Sequence, residues 1–301
     1  RWAAWLAGVP IIIHTVHGFG ITPNQPAWFR WVLIGLERLT GLITTHWIAV
    51  SEADAVKGLG WGLFQRSRVS VIRPGIDTWT FQFPPLPVPD RDRLRAEWGV
   101  GPEHLVVGTV APLKSQKAPL DFVAVAARVC ARVPAARFVW VGDGELRPVV
   151  EAAIRRAGLD GRIRLAGWRR DIPRVMRALD LFLLTSHWEG LPLVLLQARA
   201  SCLPAVAARA GGAAETIVDG LHGWICEPGD IDGLAERLCQ LLTDRTERER
   251  MRRCGGSVPD EFDSRVALEK RVALYDTLLA SAGFAACVDT GLPRSEQPIA
   301  W

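Results

Sequence analysis

The sequence lacks most features of membrane proteins, zinc proteins and nucleic-acid-binding proteins. No stretch reaches 18 uncharged apolar residues, so no membrane span is predicted. The six cysteines form no C-x-x-C pair and no His/Cys cluster has zinc spacing, which favours a reduced, cytoplasmic protein. The net charge is only +4 and no dense Lys/Arg run occurs, so we expect no nucleic-acid partner.

Several enzyme motifs are missing as well. The sequence has no P-loop and no G-x-S-x-G elbow. Its D-x-D, Asp90 to Asp92, lies in a Pro/Arg-rich segment before a polar helix, and we interpret it as a solvated cap. The opening letters "RWAAWLAGVPIII" contain no Met and no signal-peptide pattern, so we expect a fragment that lacks its amino terminus.

The sequence does contain the pattern of an α/β protein with enough apolar residues for two cores. It has 301 residues, 49% of them hydrophobic, which suggests two domains. Buried strands are predicted at 9–15, 46–51, 70–77, 105–111, 137–141, 163–166, 181–185 and 205–208. Helices are predicted at 22–43, 51–60, 120–132, 146–157, 172–179, 193–200, 231–242, 244–255 and 262–281. This alternation predicts doubly wound parallel sheets, whose ligands bind at the carboxyl ends of the strands.

A segment with four prolines, "FPPLPVPD", is the predicted linker. We therefore expect a partial amino-terminal Rossmann-like domain at 1–82, a carboxy-terminal Rossmann-like domain with closing helices at 83–283, and a tail at 284–301.

The most specific segment is "TSHWEGLPLVLLQ", in which a strand ends before an acid and the start of a helix. Glu189 precedes Gly190 and Pro192, and proline is tolerated at a first helical position. The free amides at the positive end of this helix predict a phosphate site formed by Leu191, Leu193 and Val194. Glu189 would then accept hydrogen bonds from sugar hydroxyls.

Gln197 lies two turns further along this helix. Its amide oxygen could bind a ribose diol, but a plain solvated helical position explains it as well.

Three other groups follow predicted strands, and each has a simpler structural interpretation. Lys114 and Lys117 would suit a diphosphate, or lie in a solvated loop. Gly142 and Gly144 would let a ligand approach the backbone, although a strand-to-helix turn needs the same residues. His17, in "HTVHGFG", could contact a sugar, whereas such a histidine is more often a structural hydrogen-bonder.

The chain resembles the retaining GT-B glycosyltransferases of the GT4 family, also called glycosyl transferases group 1. The resemblance rests on eight segments in the family's order: "HTVHGFG", "IAVSEADAVKG", "VSVIRPGID", "VVGTVAPLKSQKA", "VWVGDGEL", "RLAGWRRDI", "SHWEGLPLVLLQA" and "RAGGAAETIVDGLHGWICEPGD". It covers residues 7 to about 280. It implies two Rossmann-like domains with the active site in the cleft between them.

The resemblance also implies a role for each site residue. His17 would face the donor sugar, Lys117 would hold the diphosphate and Glu189 would contact the sugar hydroxyls. The segment 167–172, with Trp168 and Arg169, would lie near the base. The resemblance implies no metal or other cofactor, so Lys117, a nearby second cation and the helix amides would stabilise the leaving diphosphate. Retention would follow a front-face mechanism in which the leaving phosphate accepts the acceptor's proton.

Two positions depart from the family's pattern. Pro112 stands where an arginine often precedes the loop lysine, and Lys114 could supply that charge without the bidentate fork. Gln197 stands where the family usually has a second glutamate that grips the ribose. Losing one charge-assisted bond there would cost about 1.5–3 kcal/mol of binding.

The expected activity is therefore transfer of a sugar from a nucleotide-sugar, of UDP type, to a saccharide or lipid-linked acceptor in envelope or exopolysaccharide synthesis. Two alternatives stay open. One is a nucleotide-sugar 2-epimerase of the same architecture, and the other is a non-catalytic or decayed homologue, which Pro112, Gln197 and the expected loss of the amino terminus favour. The apolar helix at 28–43 could touch the inner face of the membrane, although we prefer a core or domain-facing position.

Overall fold

The computed structural model describes residues 1–22, 25–82 and 88–284. In these ranges the strands are β1 (Ile13–Val16), β2 (His46–Ala49), β3 (Val69–Val71), β4 (Leu105–Val110), β5 (Ala136–Val141), β6 (Ile163–Gly167), β7 (Leu181–Leu184), β8 (Ala205–Ala208) and β9 (Gly223–Cys226). The α-helices are α1 (Trp2–Leu6), α2 (Ala27–Gly41), α3 (Glu52–Gly60), α4 (Thr78–Gln82), α5 (Val88–Glu97), α6 (Pro119–Arg132), α7 (Arg147–Arg156), α8 (Ile172–Ala178), α9 (Leu193–Ala200), α10 (Ala213–Thr216), α11 (Ile231–Thr243), α12 (Arg245–Cys254) and α13 (Ser264–Ser281).

The strands form two parallel sheets. The first has the order β1-β2-β3 and the second the order β6-β5-β4-β7-β8-β9. The second order is that of a doubly wound dinucleotide-binding sheet, in which the chain reverses direction across the sheet between β4 and β7. The predicted fold class is confirmed, and the reversal point predicts where a ligand binds.

Helices cover both faces of the larger sheet, so its strands are buried on both sides and their sequences are continuous apolar runs. All four residues of β7 are at most 1% exposed. On one face the ring of Phe122 from α6 meets Phe138 and Trp140 of β5 edge-on, at centroid distances of 5.6 and 5.1 Å. This core holds the carboxyl ends of β4 and β7 in fixed positions.

The two sheets meet through contacts that bring the ends of β2 and β8 together. Ser51 caps α3, directly after β2, by accepting a hydrogen bond from the Asp54 amide. The carboxylate of Glu215, in α10, accepts hydrogen bonds from the amides of Glu52 and Ala53 in the first turn of α3, both at 3.1 Å. Arg73 also binds Glu215, at 2.8 Å. The carboxyl edges of the two sheets therefore face each other.

Some boundaries differ from the sequence prediction for local reasons. The first strand begins at Ile13 instead of residue 9, because the Ile12 amide donates to the Thr45 hydroxyl at 2.9 Å. Helix α5 starts at Val88, so the last three residues of the predicted linker are helical, while 83–87 lie outside the described residues. Of the predicted tail, only Phe284 is described.

Of the two preferred positions for α2, in a core or facing the other domain, the core position does not hold for most of its apolar side chains. Only Ile34 and Gly41 of this helix are buried. The exposed ones include Trp28 at 69% and Trp31 at 65%. Over the described ranges, no helix has both the length and the apolar character needed to cross a bilayer.

Candidate functional site

The candidate site lies at the carboxyl ends of β4 and β7, where the strand order reverses. Two loops meet there, 111–118 after β4 and 185–192 after β7. The Thr185 hydroxyl donates to the carbonyls of Lys117 and Ala118 at 3.0 and 3.2 Å. The His187 amide donates to the Gln116 carbonyl at 2.9 Å. These bonds fix the side chains of one loop relative to the other.

Lys117 and Glu189 form an ion pair at the centre of this junction. The Lys117 Nζ lies 2.5 Å from the Glu189 Oε1, and the two side chains are 15% and 7% exposed. Gln116 supports the acid, because its Nε2 donates to the Trp188 carbonyl at 2.9 Å and lies 3.5 Å from the Glu189 Oε2. The structure thus brings together two residues that lie 72 positions apart in the sequence.

Helix α9 begins directly beside this pair. Its N-cap is Pro192, whose side chain accepts no capping hydrogen bond, so the first amides of the helix stay open to a ligand. Leu191 is buried, whereas Leu193 and Val194 are half-buried. The anion site predicted from the sequence at this helix end stays a prediction, and these amides are the groups that would form it.

Gln197 lies four residues into α9, about 6 Å along the helix from its first residue. It is half-buried, and among the described residues its side chain has no hydrogen-bond partner. The side chain is therefore available to a ligand, as the ribose hypothesis requires.

The loop after β1 contacts the segment just before α9 at Gly190. A Cβ added to Gly190 would lie 2.6 Å from the His17 carbonyl carbon and 2.8 Å from the Gly18 amide nitrogen. Glycine is needed there because the two backbones touch. The imidazole of His17 is exposed on this loop, at the boundary between the two sheets.

A second glycine contact lies on the other side of Gly190. The Gly212 amide donates to the Gly190 carbonyl at 2.7 Å. Gly211 has a φ of +52°, and an added Cβ would lie 2.0 Å from the Glu189 carbonyl oxygen. The segment that carries the acid is thus held by backbone on both sides.

The predicted glycines Gly142 and Gly144 approach protein backbone in this structure. An added Cβ would meet the Ala111 carbonyl oxygen at 2.1 Å and the Leu113 carbonyl oxygen at 2.6 Å, respectively. They therefore position the lysine loop after β4, and direct contact with a ligand stays a prediction.

The other predicted residues lie around the rim. Lys114 is exposed, and its ammonium forms no ion pair within the described part of the chain. Arg169 is bound by Asp171 at 2.8 Å and Glu97 at 2.9 Å, and the hydrogen bond to Asp171 raises its pKa. The indole of Trp168 is 70% exposed beside it. Trp168 is thus better placed than Arg169 to meet a ligand.

Sequence reasoning missed three parts of this site. Gln116, next to the predicted lysine, supports Glu189, and Gly212 binds the Gly190 carbonyl. Ser186 is fully buried, and its hydroxyl has no hydrogen-bond partner among the described residues. The segments "KSQKA" and "RAGGAAE" belong to loops that the sequence analysis had identified, but only the fold shows which of their groups are in contact.

The expectation of no metal remains a prediction. In the described ranges, no group of three or more His, Cys, Asp or Glu side chains is arranged to hold a metal ion.

Comparison with known sequences identifies a protein family and related proteins. The sequence model described as glycosyl transferases group 1 matches residues 102–244. An Escherichia coli protein named UDP-Gal:alpha-D-GlcNAc-diphosphoundecaprenol alpha-1,3-galactosyltransferase is 30% identical over 279 residues, 91% of this chain and 71% of that protein. A Bacillus anthracis N-acetyl-alpha-D-glucosaminyl L-malate synthase is 28% identical and covers 89% of this chain and 67% of that protein.

Comparison with solved structures identifies the shared fold. The structure of Anabaena HepE in complex with UDP-glucose aligns with a TM-score of 0.79 at 24% identity, over 92% of this chain and 74% of that one. The carboxy-terminal domain of a group 1 protein from Francisella tularensis, LpcC, aligns with a TM-score of 0.54 at 28% identity, over 60% of this chain and 95% of that one.

Proposed function

Since the chain belongs to the glycosyl transferases group 1 family of GT-B enzymes, we propose that it transfers a sugar from a UDP-sugar to a saccharide or lipid-linked acceptor. The proposed setting is envelope or exopolysaccharide synthesis, in the cytoplasm or at the inner face of the membrane. The name of the Escherichia coli relative supports this choice, because it describes a UDP-galactose donor and a diphosphoundecaprenol-linked acceptor. The exposed apolar side chains of α2 are compatible with contact to such a surface.

The observation that carries the proposal is the Lys117–Glu189 pair at the reversal point of the larger sheet, 2.5 Å apart and largely buried. A nucleotide diphosphate at the open end of α9 would meet both the helix amides and the Lys117 ammonium. Lys117 would then share its charge between the diphosphate and Glu189. Glu189 would keep acceptor lone pairs for the sugar hydroxyls.

We propose that the reaction proceeds with retention. The bond between the anomeric carbon and the phosphate oxygen breaks, and the acceptor oxygen bonds to the same face of that carbon. The acceptor's proton passes to the leaving phosphate oxygen. Lys117 and the α9 amides stabilise the charge that develops on the diphosphate, which is the largest electrostatic demand of the step. His17, on the facing loop, would contact the donor sugar.

The rest of the donor would extend along α9 and the loop after β6. Gln197 has a free side chain for the ribose hydroxyls, and Trp168 offers an exposed ring for the base. Both relatives described above bear transferase or synthase names, which favours transfer over 2-epimerisation.

The test is transfer from radiolabelled UDP-sugars to a prenyl-diphosphate-linked N-acetylglucosamine, with and without EDTA. We expect transfer with retained anomeric configuration, read by NMR of the product, and no loss in EDTA. Lys117→Ala should abolish it, whereas Lys270→Ala, which changes an exposed lysine on α13, should not. Inversion would refute the mechanism, and epimerised UDP-sugar without transfer would refute the proposed activity.

A further inference from the structure

A cavity of about 260 Å³ lies between α2 and α3, on the side of the smaller sheet. Its lining combines apolar and aromatic side chains with two cations: Ile21, Thr22, Arg30, Trp31, Ile34, Lys57 and Trp61. The volume is slightly below the range of about 300–1,000 Å³ for pockets that enclose a whole small ligand. The cavity is therefore sized for part of a larger molecule.

The cavity adjoins the candidate donor site through one short loop. Gly18 touches Gly190, and the cavity residue Ile21 follows Gly18 by three positions. Three residues span at most about 11 Å, so the cavity begins within that distance of the donor site. A molecule held in the cavity could thus place a hydroxyl in the cleft.

Among the described residues, no carboxylate forms an ion pair with either cation at the cavity. Within the described part of the chain, the Arg30 guanidinium forms no hydrogen bond or ion pair, although the residue is half-buried. The Lys57 Nζ lies 3.5 Å from the Ile21 carbonyl and 4.9 Å from the centroid of the Trp61 ring. Two unpaired cations beside one cavity favour an anionic ligand, because a partly buried charge is stabilised by a partner.

Asp54 interacts electrostatically with Lys57 but forms no ion pair with it. Asp54, one turn before Lys57 on α3, is 3% exposed, and burial raises its pKa to about 6. Partial burial also lowers the pKa of Lys57, and Asp54 opposes that shift. An anion in the cavity would stabilise the charged form of Lys57.

The cavity continues outward into an exposed apolar surface on α2. Trp31 is both a lining residue and 65% exposed, and its neighbours Trp28 and Val32 are 69% and 49% exposed. Aromatic and aliphatic side chains of this kind suit a hydrocarbon chain that leaves the cavity. A free inorganic anion would make no use of this surface.

We propose that this cavity binds the diphosphate and first isoprenoid units of a prenyl-diphosphate-linked acceptor, with Arg30 and Lys57 at the phosphates and Trp31 and Trp61 at the hydrocarbon. The proposal rests on the glycosyltransferase function above and assigns the acceptor's anchor to named residues. The tryptophans of the cavity lie beside the cations, so one ligand with a charged head and an apolar tail satisfies both.

The experiment measures binding of farnesyl diphosphate to the full chain by calorimetry, beside inorganic diphosphate and UDP. Farnesyl diphosphate should bind at least about tenfold more tightly than inorganic diphosphate. Arg30→Gln and Lys57→Gln should each weaken it by about tenfold or more, as expected for bonds to charged groups. Arg156→Gln and Lys270→Gln, at exposed positions on α7 and α13, should leave it unchanged.

Titration with UDP separates this proposal from the proposed function. Lys117→Ala should lose UDP binding and keep the binding of farnesyl diphosphate. The cavity variants Arg30→Gln and Lys57→Gln should keep UDP binding and weaken the binding of farnesyl diphosphate. The acceptor proposal is overturned if the cavity variants bind farnesyl diphosphate like the unaltered chain. It is also overturned if inorganic diphosphate binds as tightly as the prenyl compound. Absence of UDP binding together with intact prenyl binding would refute the donor site alone.

Discussion

Replacing Gln197 by glutamate should tighten donor binding. Gln197 is half-buried on α9, and its side chain has no hydrogen-bond partner among the described residues. The change therefore breaks no contact of the folded chain. A carboxylate there would accept hydrogen bonds from both ribose hydroxyls, whereas the amide offers one acceptor and one donor.

The expected gain follows from the difference between charged and neutral hydrogen bonds. Bonds to charged groups contribute about 1.5–3 kcal/mol and neutral ones about 0.5–1.5 kcal/mol, so the gain is about 1–1.5 kcal/mol. That corresponds to roughly five- to tenfold tighter binding.

Calorimetry with UDP gives the affinity, and steady-state kinetics gives the split between kcat and KM. We expect Gln197→Glu to lower KM with little change in kcat, because the ribose does not change during the reaction. Gln65→Glu, at an exposed position, makes the same change of net charge and should have no effect. Unchanged or weaker UDP binding in Gln197→Glu would show that this residue does not contact the ribose.

Three further perturbations test other parts of the structure. Glu189→Gln should lower transfer by at least about 100-fold, because it removes the charged acceptor of the sugar hydroxyls. It also leaves Lys117 without its ionic partner, so we expect a loss of folding stability below the roughly 3–5 kcal/mol of a fully buried pair. The control Glu227→Gln changes a surface ion pair whose acid is 72% exposed, and it should not lower transfer. Gly190→Ala should destabilise the contact between the two sheets by about 1–3 kcal/mol, measured by thermal unfolding, whereas Gly20→Ala points into open space. Asp54→Asn should raise the unfolding free energy at pH 7.5 by up to about 3 kcal/mol and by nothing below pH 4.

The sign for Asp54 follows from its raised pKa. Burial lifts the pKa from 3.8 to about 6, so the folded chain holds this proton more tightly than the unfolded chain does. Protonated Asp54 therefore contributes to the free energy of unfolding. This contribution is fully present below pH 4 and is lost as the pH rises to about 6. Denaturation by urea at several pH values measures it. A difference between Asp54→Asn and the unaltered chain that does not grow between pH 4 and 6 would refute the assignment.

Clear outcomes also contradict the other two predictions. Transfer by Glu189→Gln within threefold of the unaltered chain would remove this residue from the site. Equal stability of Gly190→Ala and Gly20→Ala would show that the close contact with the His17 loop does not form in solution.

Much of the larger sheet could be predicted because its strands are continuous apolar runs. Residues 181–184 and 205–208 are buried on both faces, and their limits match the pattern almost to the residue. The edge strand β9, "GWIC", was missed because only its glycine is buried, unlike the fully buried strands β7 and β8. A short edge strand has no periodicity that local patterns can detect.

The candidate site was predicted residue by residue, but its connections were not. Lys117 and Glu189 were each identified from local motifs, and only the parallel neighbours β4 and β7 explain why they pair. The contact between Gly18 and Gly190 joins loops of different sheets, which no local pattern reveals. The placement of Arg30 and Lys57 beside one cavity likewise depends on how α2 and α3 pack.

The central claim is that Lys117 and Glu189 act together on one nucleotide-sugar donor. The direct test is the rate of UDP release from UDP-sugars by the unaltered chain, Lys117→Ala, Glu189→Gln and the double variant. Residues that act as a unit are strongly non-additive, so the double variant should be about as slow as the slower single variant. Losses that multiply in the double variant, or activity that survives both changes, would contradict the claim.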